Sequence, residues 1–341
     1  MELTLKLILQ VGILFLMMVP GIILKKCKLV GADFGKGISN LILYIAQPVL
    51  VFYAYLSFEG TFLDIWQNIL TVFLLSILAH VLFCVVAIPV FKKAPEARAK
   101  MLRLTTIFSN AAFMGIPLIE ILLGAENAIY ASIYNITFNL FLWTLGVHLC
   151  THEPGTDFDG DGDSDLADTL KSAKHHANAA GAAKKVLLHP VTLASVLGLV
   201  CLVLGVNTAL LAQCHLSILS DSLFMIKNLV APLSMVVIGL RVPDIRLSGM
   251  LRDIYMYIFL VLRHLALPGV LLLIMKLMML IGVPISEGVA LTTLILASTP
   301  SATSATMFAE KYDCDAPYTS RLVIISTLLS ILTRPLLVAL W

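Results

Sequence analysis

Ten apolar stretches, each about 20 residues long, occupy most of the chain. Hydrophobic residues make up 59% of its 341 residues and charged residues only 13%, against about a quarter charged in soluble domains. So few charges cannot cover a water-facing surface. Because main-chain polar groups must be satisfied within hydrocarbon, the stretches are predicted to be transmembrane helices. They are Leu5–Leu24, Ile38–Phe58, Ile65–Phe91, Leu102–Leu123, Ala128–Leu149, Pro190–Leu210, Leu219–Leu240, Ile254–Ile281, Gly288–Ala309 and Tyr318–Leu340.

Lysine and arginine are confined to every second connection between these stretches. The connections after the first, third, fifth, seventh and ninth stretches are basic, whereas the others, such as those near Glu59, Glu126 and Glu287, hold no Lys or Arg. Positive loops stay on the cytoplasmic side. The pattern predicts a cytoplasmic membrane as the location, with both termini outside and the central loop inside. It gives no support to nucleic-acid binding.

The orientation makes the two halves of the chain inverted relative to each other, because an odd number of helices precedes the central loop. Residues 1–149 form the first predicted repeat, 150–189 the cytoplasmic loop and 190–341 the second repeat. The second and seventh stretches each have a proline near the middle, Pro48 and Pro232. The fourth and ninth stretches both contain Leu-Thr-Thr before a proline. Inverted repeats with broken helices are typical of transporters, which bind substrate where the breaks meet.

The two broken helices carry the strongest functional signal. Pro117 and Pro300 each remove a main-chain donor from the middle of a span. The half-helix after each proline is predicted to present its N-terminus at membrane depth, where free N–H groups and the positive helix end favour an anion such as a carboxylate. A plain proline kink, satisfied by nearby hydroxyl groups, is the alternative interpretation.

Polar residues around these breaks, and on the fifth helix, complete the predicted site. Asn135 and Asn139 are four residues apart and therefore share one helix face. They could form a polar wall of the site or hydrogen bonds between helices. The predicted substrate-binding residues are Ser109, Asn110, Gly115, Pro117, Asn135, Asn139, Arg263, Thr299, Pro300, Ser301 and Ser304.

Ionisable side chains inside membrane helices are costly and are functional by default. Glu120, Lys227 and His264 are predicted as coupling candidates. Lys227 and Arg263 could pair with a substrate carboxylate or with Glu120, and snorkelling to the membrane surface is the alternative for Lys227.

An acidic run in the central loop has the spacing of a calcium-binding loop, with oxygen-bearing side chains at positions 1, 3, 5, 7, 9 and 12 and Gly162 at position 6. Aspartate instead of glutamate at position 12 shortens the bidentate reach, and there is no second such loop. A flexible acidic linker is therefore the preferred interpretation. The calcium ligands would be Asp157, Asp159, Asp161, Asp163 and Asp168, and no other cofactor is expected.

Several segments resemble the auxin efflux carrier family. They read SNAAFMGIPL, HPVTLASVLGL, APLSMVVIGL and ASTPSATSATMFAEKYDCD, with STLLSILTRPLL near the C-terminus. The resemblance implies similarity to the bile-acid, arsenite and riboflavin carrier superfamily and, within the family, to bacterial carriers of malonate-like acids. It implies a 5+5 inverted repeat in which helices four and nine cross near Pro117 and Pro300. It also implies a scaffold of helices one, two, six and seven, through which a homodimer could form, and a transport unit of the other six.

Together these features predict an all-α polytopic membrane protein that carries small organic anions by alternating access, and not an enzyme. The sequence has no GxxxxGK[ST] segment for ATP use and no HExxH, GxSxG or Cys/His zinc constellation. Two other functions stay open: a sodium-coupled carrier of sterol-like anions, and a membrane sensor that binds a ligand without net flux. An intramembrane enzyme would need a reactive pair, for which Arg263 and Glu120 are the only candidates.

Overall fold

The computed structural model describes residues 2–31, 33–151, 187–244, 252–312 and 314–341, whose regular secondary structure is helical. We number the helices in chain order. They are α1 (Leu5–Lys26), α2 (Phe34–Leu56), α3 (Phe62–Val90), α4 (Glu96–Ile107), α5 (Ala111–Leu123), α6 (Ala125–Thr151), α7 (Pro190–Val203), α8 (Thr208–Gln213), α9 (Ser217–Arg241), α10 (Ile254–Leu280), α11 (Glu287–Ala297), α12 (Ser304–Lys311) and α13 (Ala316–Ala339).

Within the described residues, seven of these helices are long and apolar enough to span a membrane: α1, α2, α3, α6, α9, α10 and α13. Helices α5, α7 and α11 are shorter apolar helices. A multi-pass helical membrane protein is therefore confirmed. The fourth predicted span is divided between α4 and α5, and the ninth between α11 and α12. The ten-helix inverted repeat stays a prediction.

Wide turns with π-helical hydrogen bonding interrupt α2, α6 and α10 and open α5. In α2, α5 and α10 the wide turn ends two residues before a proline, namely Pro48, Pro117 and Pro268. A proline has no N–H, and its ring clashes with the carbonyl four residues earlier. The wider turn relieves that clash, so each helix continues through its proline with a local change of direction.

The helices pack in two groups. In the first group α2 packs against α7 and α9, and α9 packs against α1, while in the second group α3 to α6 pack with α10 to α13. The two groups also contact each other, chiefly through α1 with α13 and α2 with α6. Helix α11 lies at the centre of the second group, where every residue from Val289 to Ala297 is buried. A helix surrounded by protein is apolar on all sides, which explains why α11 has no polar face.

The closest approach in the first group is between α1 and α9. Gly21 and Gly239 lie against each other, and a methyl group on Gly239 would overlap the carbonyl oxygen of Met18. A methyl group on Gly21 would in turn overlap the carbonyl oxygen of Val236. Small residues let helix backbones approach closely in membranes, where van der Waals packing holds helices together.

We expect Gly239→Ala to lower the melting temperature of the detergent-solubilised protein, because overpacking a close contact costs about 1–3 kcal/mol. Gly269→Ala in α10 is the matched control, since a methyl group there would have no atom within 4 Å. The control is expected to melt at the parent temperature or above it, because alanine favours the helix. Equal melting temperatures for the two variants would contradict this packing.

Candidate functional site

The two interrupted spans meet through their main chains. The N–H of Asn110 donates to the carbonyl of Pro300 at 2.7 Å, and the N–H of Ala302 donates to the carbonyl of Phe108 at 2.9 Å. These bonds form an isolated antiparallel bridge in which Ser109 lies opposite Ser301. Groups that lost their helical partners at the two breaks therefore satisfy one another, as hydrocarbon surroundings require.

The position of the first break differs from the prediction. The sequence placed the break at Pro117, whereas the helix ends at Ile107 and resumes at Ala111, upstream of that proline. Pro117 lies inside α5, just after its wide first turn. The prediction failed because the bridge to Pro300 decides where the helical hydrogen bonds stop, and proline alone only widens a turn.

A cavity of about 1070 Å³ reaches the bridge. It is lined by the first turns of the two helices that follow the breaks, with Ala112 and Phe113 from α5 and Ser304 and Thr306 from α12. The positive ends of these two helices therefore face the same cavity, an arrangement that favours a bound anion. The aromatic side chains of Phe113, Phe138, Trp143 and Phe308 supply apolar wall.

Four buried amide side chains line this cavity: Gln47, Asn110, Asn135 and Asn139. They are at most 5% exposed. Each has at least one side-chain nitrogen or oxygen without a hydrogen-bond partner among the described residues. Burying a polar group without a partner costs free energy, so these amides are arranged for a polar ligand. Asn135 and Asn139 share the predicted face, while Gln47 was not predicted.

Basic side chains dominate the charged lining of the cavity. Five cationic residues contribute to its wall, against the two acids Asp33 and Glu310; the cations are Lys25, Lys36, Arg241, Lys311 and Arg321. His189, just before α7, also lines it, and burial lowers the pKa of this histidine. A cavity lined by one sign of charge concentrates ligands of the opposite sign.

Arg263 is not part of the cavity lining. Its side chain is fully buried, and its two terminal nitrogens donate to the carbonyls of Thr106 at 3.1 Å and Thr299 at 2.6 Å. Thr106 is in the last turn of α4, and Thr299 follows the end of α11. The structure thus places Arg263 at the C-terminal ends of α4 and α11, the half-helices before the two breaks. The half-helices after the breaks, α5 and α12, present their N-termini to the cavity.

The other predicted site residues divide between lining and packing. Ser109, Asn110 and Ser304 line the cavity. Outside the lining, the Pro300 carbonyl joins the bridge and the Ser301 hydroxyl donates to the carbonyl of Thr105 at 2.7 Å. A methyl group on Gly115 would lie 2.5 Å from a terminal carbon of Leu296, so that side chain would have to shift.

Glu120 and Lys227 form a partly buried ion pair, with 2.6 Å between the carboxylate oxygen and Nζ. Their side chains are 16% and 8% exposed. The ammonium group also lies over the rings of Tyr53 and Phe224, 5.1 and 4.8 Å from their centres. The pair joins α5 of the second group to α9 of the first and does not line the cavity. The sequence allowed Lys227 to pair with a substrate carboxylate or with Glu120, and in the structure it pairs with Glu120.

His264 is connected to the bridge through one hydroxyl group. Ser326 accepts the N–H of Ser301 at 2.9 Å and lies 2.8 Å from Nε2 of His264. Nδ1 of the same ring lies 3.1 Å from the hydroxyl of Thr333. Both ring nitrogens therefore have hydroxyl partners, which hold the imidazole against the ninth-span break.

The predicted calcium ligands, Asp157 to Asp168, lie outside the described residues. Within the part of the chain that the structure describes, no cluster of three or more His, Cys, Asp or Glu could hold a metal ion.

The sequence model of the family described as "Membrane transport protein", which includes the auxin efflux carriers, matches residues 6–338. The chain belongs to this membrane transport family. Its transport and transmembrane character are thereby established, in agreement with seven helices that can span a membrane. A transporter family is consistent with a protein that is not an enzyme. The chain matches no curated protein sequence.

This member of the membrane transport family has a second fully buried arginine, Arg334 in α13, which sequence reasoning missed. One terminal nitrogen lies 3.1 Å from the hydroxyl of Ser330 and 3.3 Å from the sulfur of Met114. Its Nε and other terminal nitrogen have no partner among the described residues. Its position within an apolar span was the available signal, by the same rule that selected Arg263.

We expect the transporter variant Ser109→Cys with Ser301→Cys to form a disulfide under mild oxidation. The two residues occupy a non-hydrogen-bonded antiparallel position, where Cα atoms are about 4.5 Å apart, within disulfide range. Peptide mapping by mass spectrometry would detect the link. Ser109→Cys with Ser304→Cys is the control, since Ser304 lies beyond the bridge and is expected to link much more slowly. Equal linking of both pairs would contradict the bridge.

Proposed function

We propose that this membrane transport protein is a secondary transporter of small organic anions, carboxylates above all, that works by alternating access. The observation that carries the proposal is the convergence of two half-helix N-termini and four incompletely paired amides on one cavity. A carboxylate can accept hydrogen bonds from the N–H groups and the amide NH₂ groups, and the amide oxygens can accept from hydroxyl groups of the same ligand. The positive helix ends stabilise its charge.

The lining supports an anionic rather than a cationic substrate. Five cations against two acids attract anions into the cavity, and the deeper amide-lined part holds them without a full positive charge. A panel of malonate, succinate and longer acids would establish the preferred size.

In the proposed mechanism, the helices pack as a 5+5 inverted repeat of ten spans, with α4–α5 crossing α11–α12 at the bridge. The group α1, α2, α7 and α9 serves as scaffold and as the contact of a homodimer. The second group moves against it and carries the site between the membrane faces. By the positive-inside rule, the basic residues of the cavity lining would lie on the cytoplasmic side and both termini outside. The described conformation would then be inward-open.

The Glu120–Lys227 pair supports this mechanism because it links the two groups away from the cavity. In the inward-open conformation it would close the opposite side, and it would have to break when the second group moves. Of the predicted coupling roles, this assigns Glu120 and Lys227 to the conformational change. His264, connected to the bridge through Ser326, is the remaining candidate for proton coupling.

The direct test is counterflow in liposomes. Protein reconstituted with internal malonate or succinate is expected to accumulate the same labelled acid from outside. Flux that requires sodium and prefers taurocholate would indicate the sterol-anion carrier instead. Saturable binding with no exchange would indicate a sensor. Absence of both binding and exchange for every mono- and dicarboxylate tested would overturn the anion proposal.

We expect Asn139→Leu to abolish the thermal shift that a bound acid produces, while the ligand-free protein melts at the parent temperature or higher. The reason is that leucine removes a buried amide nitrogen that lacks a partner among the described residues, and such a group stabilises only when a ligand pairs it. Differential scanning fluorimetry with and without malonate or succinate measures both quantities.

Asn127→Leu on the same helix is the matched control. Asn127 donates to the carbonyl of Leu123 at 2.8 Å and lies 3.2 Å from the hydroxyl of Thr292. This variant is expected to melt at a lower temperature but to keep the ligand shift. The opposite pattern, with ligand shift lost in Asn127→Leu and kept in Asn139→Leu, would exclude the amide-lined cavity as the binding site.

We expect Glu120→Gln and Lys227→Gln each to destabilise the protein and slow exchange, because each change leaves the other charge without its partner. The cost is expected to lie below the roughly 3–5 kcal/mol of a fully buried pair, since this pair is partly buried. The charge swap Glu120→Lys with Lys227→Glu is expected to restore part of both. Melting temperatures and counterflow rates test this, and a swap no better than the single variants would show that the pair does not act as a unit.

A further inference from the structure

We propose that Arg263 is a positioning residue, which joins the C-terminal ends of α4 and α11 and thereby holds both helix breaks in one unit. Its fully buried guanidinium group donates at once to the carbonyls of Thr106 and Thr299. These carbonyls belong to two helices that are far apart in the sequence and adjacent in the fold. The side chain is further fixed by the ring of Phe83, 5.3 Å from the guanidinium carbon.

The electrostatics of the break explain why a cation is needed at this point. The last carbonyls of a helix have no partner within the helix, and the C-terminal end carries a negative partial charge. At this bridge two such ends meet where Thr106, Thr299 and Arg263 are all fully buried. A guanidinium group supplies both the missing donors and the opposite charge, and its planar fork can reach two acceptors in fixed geometry.

Two further observations separate this role from substrate binding. Arg263 is not part of the cavity lining, so its side chain does not border the space where a ligand fits. In the part of the chain that the structure describes, no carboxylate forms an ion pair with it. The charge of Arg263 is therefore balanced by the two helix ends rather than by an acidic side chain. The N-termini on the cavity side are left for the substrate.

This arrangement links the geometry of the bridge to the cavity. If Arg263 holds α4 and α11 together, Asn110 and Ala302 stay within hydrogen-bonding distance of their partners, and both second half-helices keep their N-termini on one cavity. Without it, the two first half-helices should separate and the bridge should open. Only the expected loss of ligand affinity rests on the proposed function; the opening of the bridge does not.

The test uses the cysteine pair Ser109→Cys with Ser301→Cys as a ligand-independent reporter of the bridge. In that background, Arg263→Gln is expected to form the disulfide roughly tenfold more slowly, an effect appropriate to the loss of a charge-assisted hydrogen bond. Arg263→Lys keeps the charge but loses the fork, and it is expected to lie between Arg263→Gln and the parent.

Lys276→Gln is the control for the loss of a cation from the same helix. Its ammonium group also donates to a main-chain carbonyl, that of Leu340 at 2.7 Å, but in an exposed position. This variant should form the disulfide at the parent rate. Size-exclusion chromatography selects folded protein for each measurement, and if Arg263→Gln does not fold, the rate of Arg263→Lys decides.

A parent-like disulfide rate in the folded Arg263 variants would overturn the proposal. If such variants had in addition lost the thermal shift with malonate or succinate, Arg263 would be a substrate ligand. A slowed disulfide in a protein that transports none of the acids would support the positioning role while the anion-transport proposal failed. The two ideas can therefore fail separately.

Discussion

Main-chain hydrogen bonding at the two helix breaks is the constraint on which the rest of the structure depends. Hydrocarbon offers no substitute partner, so a helix can stop within a membrane only where protein satisfies its ends. Here the bridge between Asn110 and Pro300 and between Ala302 and Phe108 satisfies part of the interrupted chain, and Arg263 satisfies carbonyls at the C-terminal ends. The N-terminal ends face a cavity, where a ligand can complete the pairing.

This division of helix ends also explains the distribution of charge. Arg263 and Arg334 are fully buried, and Lys227 has a carboxylate partner in Glu120. The interior around the break is therefore more positive than negative, and the cavity lining has the same bias. A lining with an excess of cations favours anionic over cationic ligands. The proposed substrate class follows from that polarity together with the amide side chains.

Local sequence rules succeeded where the relevant spacing is short. The i, i+4 relation of Asn135 and Asn139 placed both on one face, and both line the cavity. The same rules misplaced the first break at Pro117, because a tertiary contact with Pro300 ends the helix at Ile107. Gln47 could not be predicted, because a single glutamine beside Pro48 forms no pattern. Arg263 was predicted to bind the substrate because the carbonyl groups that it contacts are 157 and 36 residues away in the sequence.

By itself, the sequence determined that this chain is a multi-pass helical membrane protein, since hydropathy is summed over local segments and needs no knowledge of contacts. Its match to the family model along residues 6–338 assigned it to a membrane transport family. The sequence also indicated which two spans are interrupted, since the fourth and ninth stretches alone combine Leu-Thr-Thr with a polar centre beside a proline. Only the tertiary structure decided where the breaks lie, which helix ends face the cavity and which face Arg263. Those features depend on hydrogen bonds between residues distant in sequence, whose partners are chosen by packing rather than by local propensity.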